Sequence, residues 1–146
     1  MKTRSSNTEV FDRMHGLMHS QGRYMQQAVS ADGNGLGPME MRCLRHVAHH
    51  EGTTQSDLVV YSGRDKAQIA RLVKGLIERG LVQSQPHPQD GRSQVLSATP
   101  EGLALQRKMQ AHRARFETQL LAGFSADETA LLIELLTRLQ ANASDP

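Results

Sequence analysis

This chain has a single cysteine, no tryptophan and no long apolar run. With Cys43 alone no internal disulfide can form, which fits a reducing, cytoplasmic setting. No stretch approaches the roughly 20 apolar residues needed to cross a bilayer. Lys2 and Arg4 are followed by no hydrophobic segment, so a secretory leader is not expected either. Without a secretory route the acceptor-like Asn142-Ala143-Ser144 has no meaning. Aromatics are scarce (Phe 3, Tyr 2, Trp 0), which excludes a single-strand binder that stacks bases on aromatic platforms. Gly33, Gly35 and Gly37 invite a phosphate-loop reading, but no apolar strand precedes them and no Lys-Ser/Thr pair follows. Internal repeats and low-complexity tracts are absent.

What is present is one domain's worth of chain, 146 residues, with a formal charge of +2 that is unevenly spread. Residues 1–59 carry six basic and six acidic groups. Residues 60–115 carry ten basic and four acidic, a balance of +6, and residues 116–146 carry one basic and five acidic, a balance of −4. The positive excess therefore sits on one stretch, where phosphates could be neutralised. A solvated basic face is the plainer alternative.

That stretch, Arg64 to Thr99, organises the chain. Asp65 can cap a helix by accepting from its first free N–H groups, and Gln68 three residues on can reach back. Ile69, Leu72, Val73, Leu76 and Ile77 then recur at helical spacing and give one apolar face. Lys66, Ala67, Gln68, Ala70, Arg71 and Lys74 fall on the other, with no acid among them. Gly80 suits the helix end. Leu81 to Gln85 and Gln94 to Thr99 alternate as strands, joined by a turn with Asp90-Gly91 at its tip. A basic helix followed by such a hairpin is the pattern of a winged helix-turn-helix.

The rest of the chain fits around it. A first helix is expected from Thr8 to about Val29, with Val10, Phe11, Met14, Leu17, Met18 and Met25 on one face. Ser30 to Pro38 is a loop. Pro38 opens a second helix to Gly52. Thr53 and Thr54 are cap candidates for a short third helix, Gln55 to Tyr61, with Asp57 at capping-box spacing from Thr54. Ser62-Gly63 turns into the basic helix. Thr99 can cap a long helix, opened by Pro100, that buries Leu103, Leu105, Met109, His112, Phe116, Leu120 and Leu121 and ends near Gly123. Ser125 caps a last helix, with Asp127 and Glu128 favouring its positive end. That helix is apolar on more than one side and needs more surface than one protomer offers, unless it is buried within its own monomer.

Asp90-Gly91-Arg92-Ser93, the short strand to Ala98, and Thr99-Pro100-Glu101-Gly102 resemble the wing signature of MarR-type regulators: an Asp-x-Arg-Ser tip, a strand, then Thr-x-x-Gly opening a long helix. Arg64 to Val73 is similar to the recognition helix of that family, and Gly80-Leu81-Val82 to its exit into the wing. The resemblance implies a mainly α fold with a small β-wing, a winged helix-turn-helix dimerised through its N- and C-terminal helices. Residues 36–100 would form the DNA-binding lobe, and 1–35 and 101–146 the dimerisation helices. It further implies a cytoplasmic, non-enzymatic transcription regulator of double-stranded DNA. Regulators of this type are usually repressors, and many are released from DNA by small aromatic or phenolic acids, by oxidants or occasionally by metal; an aromatic or phenolic acid is the effector expected here.

On that reading Lys66, Ala67, Gln68 and Arg71 face base edges in the major groove. Lys74 meets a phosphate, and Thr54, Gln55 and Ser56 hold another at the third helix start. Arg92 suits the minor groove, with Asp90 fixing its direction and Ser93 beside it. Two lobes imply a pseudo-palindromic operator. An effector pocket is expected around His15, Met18, His19, Met41, Arg45 and His46. The pairs His15/His19 and His46/His50 have metal-compatible spacing but no supporting Cys or Glu cluster, so no metal or other cofactor is expected. Cys43 reads as core packing rather than as a thiol sensor. Ser93 and Ser97 have no paired base in sequence, which argues against an enzyme. The competing reading is a winged-helix protein–protein module that never binds DNA.

Overall fold

The computed structural model describes residues 5–32 and 35–144; Gly33, and with it part of the glycine loop, lies outside them. In order, the elements are α1 (Ser6–Asp32), α2 (Pro38–His49), α3 (Gln55–Ser62), α4 (Lys66–Glu78), β1 (Val82–Pro86), β2 (Gln94–Ala98), α5 (Pro100–Leu120) and α6 (Ala126–Ser144). The chain divides into two compact units, Met1–Arg113 and Ala114–Pro146.

Local chemistry sets the element ends. The Glu40 carboxylate accepts from Gly37 N–H at 2.9 Å and holds the α2 start, with Pro38 in its first turn. At α3 the capping box expected of Thr54 and Asp57 forms: Asp57 N–H donates to Thr54 Oγ1 (3.2 Å) and Thr54 N–H to Asp57 Oδ2 (2.8 Å). Gly63 leaves α3 at φ 67° and Gly80 follows α4 at φ 71°, left-handed positions that L side chains rarely adopt. Ser125 and Glu128 exchange the same reciprocal pair at the head of α6, at 3.1 and 3.2 Å.

One core fills the first unit. Cys43, Leu44 and Val47 of α2, Leu58 of α3, and Ile69, Val73 and Leu76 of α4 meet Leu81, Val82 and Leu96 of the wing and Leu105 and Met109 of α5. Full burial of a side chain such as Leu44 or Leu58 is worth about 1.5–3 kcal/mol. Only the C-terminal end of α1 joins, through buried Ala28 with Met25 and Val29 alongside. His112 Nε2–H donates to Asp32 Oδ2 at 2.7 Å and ties α5 to that end.

Three apolar expectations are corrected. Ile77 is 39% exposed, because Leu76 takes the inward position of the last α4 turn. Leu103 lies at a surface cavity rather than in the core. Leu120 and Leu121 at the end of α5 are 42% and 40% exposed. The leading face of α1 (Val10, Phe11, Leu17, Met18), expected to serve dimerisation, is also exposed in the protomer.

The Thr-x-x-Gly signature proves to be a joint. Thr99 Oγ1–H donates to Gly80 O at 2.5 Å, Thr99 N–H to Leu81 O at 3.1 Å, and Gly102 N–H to Thr99 Oγ1 at 3.1 Å. A Cβ on Gly102 would overlap the Leu81 carbonyl oxygen and lie 3.4 Å from Leu44 Cδ1. Glycine is therefore required where α5 crosses the exit from α4.

Candidate nucleic-acid interface

The helix-turn-helix presents a cationic edge because the core fixes which way α4 faces. Ile69, Val73 and Leu76 are buried, so Lys66, Ala67, Gln68, Arg71 and Lys74 are all exposed, as helical periodicity requires. Asp65 accepts from Gln68 N–H at 2.8 Å. The cap is one-sided: no reciprocal bond from the Gln68 side chain forms, and its amide stays at the surface. An amide left at the surface can pair with a base edge. Arg64, absent from the sequence-based selection, is also exposed, in the turn that delivers α4. Its signal was its place one residue before the cap. Lys74 is not isolated, since Glu78 lies 3.9 Å from it one turn on. An exposed pair of this kind contributes little and can yield to a phosphate.

At the α3 start the capping box already uses Thr54 N–H and Asp57 N–H. Those two amides are not available to a phosphate, and the Asp57 carboxylate opposes one. Gln55 and Ser56 remain exposed there. The two bonds from Thr54, backbone first, hold the Asp57 carboxyl below its ordinary range.

The wing is a two-stranded antiparallel ribbon in register Val82↔Ala98 to Pro86↔Gln94. Leu96 N–H donates to Thr53 O (2.7 Å) and Thr54 bridges to Val95, so the ribbon is seated on the α3 entrance. Its tip is not the two-residue Asp-Gly turn that the sequence suggested. A seven-residue loop, His87 to Ser93, closes through His87 N–H to Ser93 O at 2.9 Å. Within it Asp90 O accepts from Ser93 N–H at 3.0 Å, and Gly91 does not take positive φ. A two-residue type I′ turn would need it to. The Asp90 carboxylate accepts from the Arg92 backbone N–H (3.1 Å) and the Ser93 hydroxyl (3.3 Å). Asp90 thus fixes the backbone of Arg92 rather than gripping its guanidinium, and Ser93 serves the turn. Arg92 is exposed.

The residues expected around an effector are spread out in character. His15, Met18, His19 and Arg45 are exposed, and Met41 leans on the core. His46 is half-buried, its ring stacked on His50 (4.1 Å) and on Tyr61 (4.0 Å), and Arg42 Nε donates to the Tyr61 hydroxyl at 3.3 Å. Burial, then the charge of His50, lowers the His46 pKa against a smaller pull from Asp57. A cavity of about 620 Å³ lies elsewhere, between the α2 C-terminus and the wing. Glu51 and His87 line it, and none of the six expected residues does. Among the described residues no group of three or more His, Cys, Asp or Glu is placed to hold a metal. Cys43 is fully buried, and burial raises its thiol pKa, against a lesser pull from Arg42. No described helix is long and apolar enough to cross a membrane.

Residues 34–93, from the α2 approach to the wing tip, match the model of the MarR family. Over that stretch the chain is similar to proteins of the MarR family. Two similar sequences carry the names of transcriptional regulators. One is an HTH-type transcriptional regulator of Bacillus subtilis, YdgJ, 29% identical over 76% of this chain and 68% of its own length. The other is a putative transcriptional regulatory protein for the hcr operon of Thauera aromatica, 26% identical over 96% and 91%. Among solved structures, the PcaV transcriptional regulator of Streptomyces coelicolor is 27% identical, with a TM-score of 0.71 and coverage of 97% and 100%. Reduced Escherichia coli MarR, 18% identical, shares the fold with a TM-score of 0.73 over 95% and 98%. The relatives that carry names are thus transcriptional regulators. Proteins of the family bind DNA and act as dimers.

Proposed function

We propose that the chain is a homodimeric repressor that reads a pseudo-palindromic DNA operator. Each protomer sets α4 into the major groove and the Arg92 wing against the adjacent minor groove. The observation that carries this is the single exposed face of α4, Lys66, Ala67, Gln68 and Arg71, held outward by buried Ile69, Val73 and Leu76. Lys66 and Arg71 suit guanine and phosphate, Gln68 suits adenine, and Ala67 can meet a thymine methyl. Gln55, Ser56 and Lys74 supply backbone contacts on the flank. Half-sites about one helical turn apart follow from a two-fold dimer.

Release by a small aromatic or phenolic acid completes the reading. An anion is supported by Arg45 and the histidines of α1 and α2, and disfavoured in the wing cavity by Glu51. A ligand that favours the DNA-free state must stabilise it, so thermal shift against aromatic acids tests this part.

The deciding experiment is a gel shift on the DNA upstream of the chain's own gene, titrated with salt. Binding that weakens steeply and linearly on logarithmic axes, with a two-fold symmetric footprint, is the expected result. A chain that ignores duplexes at low ionic strength overturns the reading.

A further inference from the structure

The wing tip is held by a side chain that base reading does not require. The Nδ1 of His87 lies 3.1 Å from Gln89 N and 3.2 Å from Asp90 N. Both partners are backbone N–H donors, so the ring nitrogen must be the acceptor. Pro88 between them fixes its own φ and helps turn the chain back over the ring. Asp90, placed this way, takes the Arg92 N–H and the Ser93 hydroxyl. Beyond the ladder's last pair, Pro86↔Gln94, the backbone bonds His87 N–H to Ser93 O and Ser93 N–H to Asp90 O close the loop, and the His87 ring takes the Gln89 and Asp90 N–H groups that they leave.

We infer that His87 is the positioning residue for the wing arginine: its unprotonated Nδ1 holds the tip in the shape that presents Arg92. The inference rests on Arg92 as a DNA contact. A protonated imidazole has two donors and no acceptor, so one proton removes both backbone bonds at once. The charged groups facing the ring are Glu51, across the shared cavity, and Asp90 in its own turn. Either gives a cationic ring an alternative to the backbone. Histidine is the side chain that ordinarily changes charge between about pH 5 and 8.

The test compares full-length wild type, His87→Ala, His87→Asn, Arg92→Ala and the double variant His87→Ala/Arg92→Ala on a duplex selected by the wild type from a random pool. Asparagine places a carbonyl oxygen where Nδ1 stands and takes no proton. His87→Ala should bind about tenfold more weakly at about pH 8, the worth of one or two hydrogen bonds. His87→Asn should match wild type there. On acidification to about pH 5.5 wild type should lose about tenfold more affinity than His87→Asn, which carries the background from other histidines. The double variant should bind no worse than Arg92→Ala. Amide exchange without DNA gives an independent readout, with Gln89 and Asp90 protected in wild type and His87→Asn and unprotected in His87→Ala. If Arg92→Ala weakens binding while His87→Ala does not, the inference is overturned. The same holds if His87→Asn keeps the full acid loss. If Arg92→Ala binds as wild type, the DNA reading of Arg92 fails by itself, and unprotected wild-type amides would then overturn the role of His87 in the loop.

Discussion

The winged lobe and the terminal helix treat leucine in opposite ways. In the lobe Leu44, Leu58 and Leu76 are at most 1% exposed and the outward face is charged. In α6 no residue is buried, and Leu131, Ile133 and Leu135 are 54%, 60% and 43% exposed. The lobe completes its core from its own elements. The apolar side chains of α6 are left unburied, and the homodimer proposed above would cover them. Apolar content therefore does not say where an element ends up; the neighbours do.

Introducing charge into α6 breaks the contrast most severely. Leu132→Asp with Leu136→Asp, one turn apart on one face, should turn a dimer into a monomer, since an unpaired buried charge costs several kcal/mol. Analytical ultracentrifugation reads the change, and a helical circular dichroism spectrum confirms that the lobe persists. A dimer that survives would mean the face is not the interface. Gly102→Ala attacks the lobe instead. The overlap with the Leu81 carbonyl should cost about 3 kcal/mol in urea unfolding, at any protein concentration. The monomeric α6 variant, by contrast, should lose the concentration dependence of stability that a dimer has.

Arg92→Ala should leave both folding and dimerisation intact and weaken operator binding by ~1–3 kcal/mol, with a shallower salt dependence. Unchanged binding at two salt concentrations would remove the wing from the interface. The smallest effect concerns pH. The folded lobe binds a proton at His46 less readily than the unfolded chain, whose value is near 6.5. Stability is thus unaffected above 6.5 and falls as pH drops below it. Asp57, held low by Thr54, adds a loss only below its ordinary 3.8. His46→Phe, which keeps a ring against Tyr61, should flatten the first decline in a series of thermal melts.

Much of the lobe was legible because local rules and tertiary packing agree there. The Thr54–Asp57 box, the Asp65 cap, Gly80 and the period of α4 all act within a few residues, so spacing alone reveals them. The exposed face of α4 follows from the same period. Three features were not legible. Asp90-Gly91 suggested a tight turn, but a longer loop is stabilised by the His87 ring and the Asp90 carboxylate together. Fewer N–H groups at the α3 start are open to a phosphate than its hydroxyls suggested, because the cap uses two of them. The cavity beside the wing brings together Val47, Glu51 and His87, a meeting that sequence distance hides.

The order of residues by itself determined the element types, their caps, the cationic face of α4 and the likeness to a family, since each depends on short-range periodicity or a local motif. Only the folded chain decided that Gly102 must lack a side chain, that Asp90 holds a backbone rather than a guanidinium, and that His87 shapes the tip. The first depends on packing between distant segments, Gly102 against Leu81; the other two act over two or three residues but depend on the path the loop takes once β1 and β2 are paired.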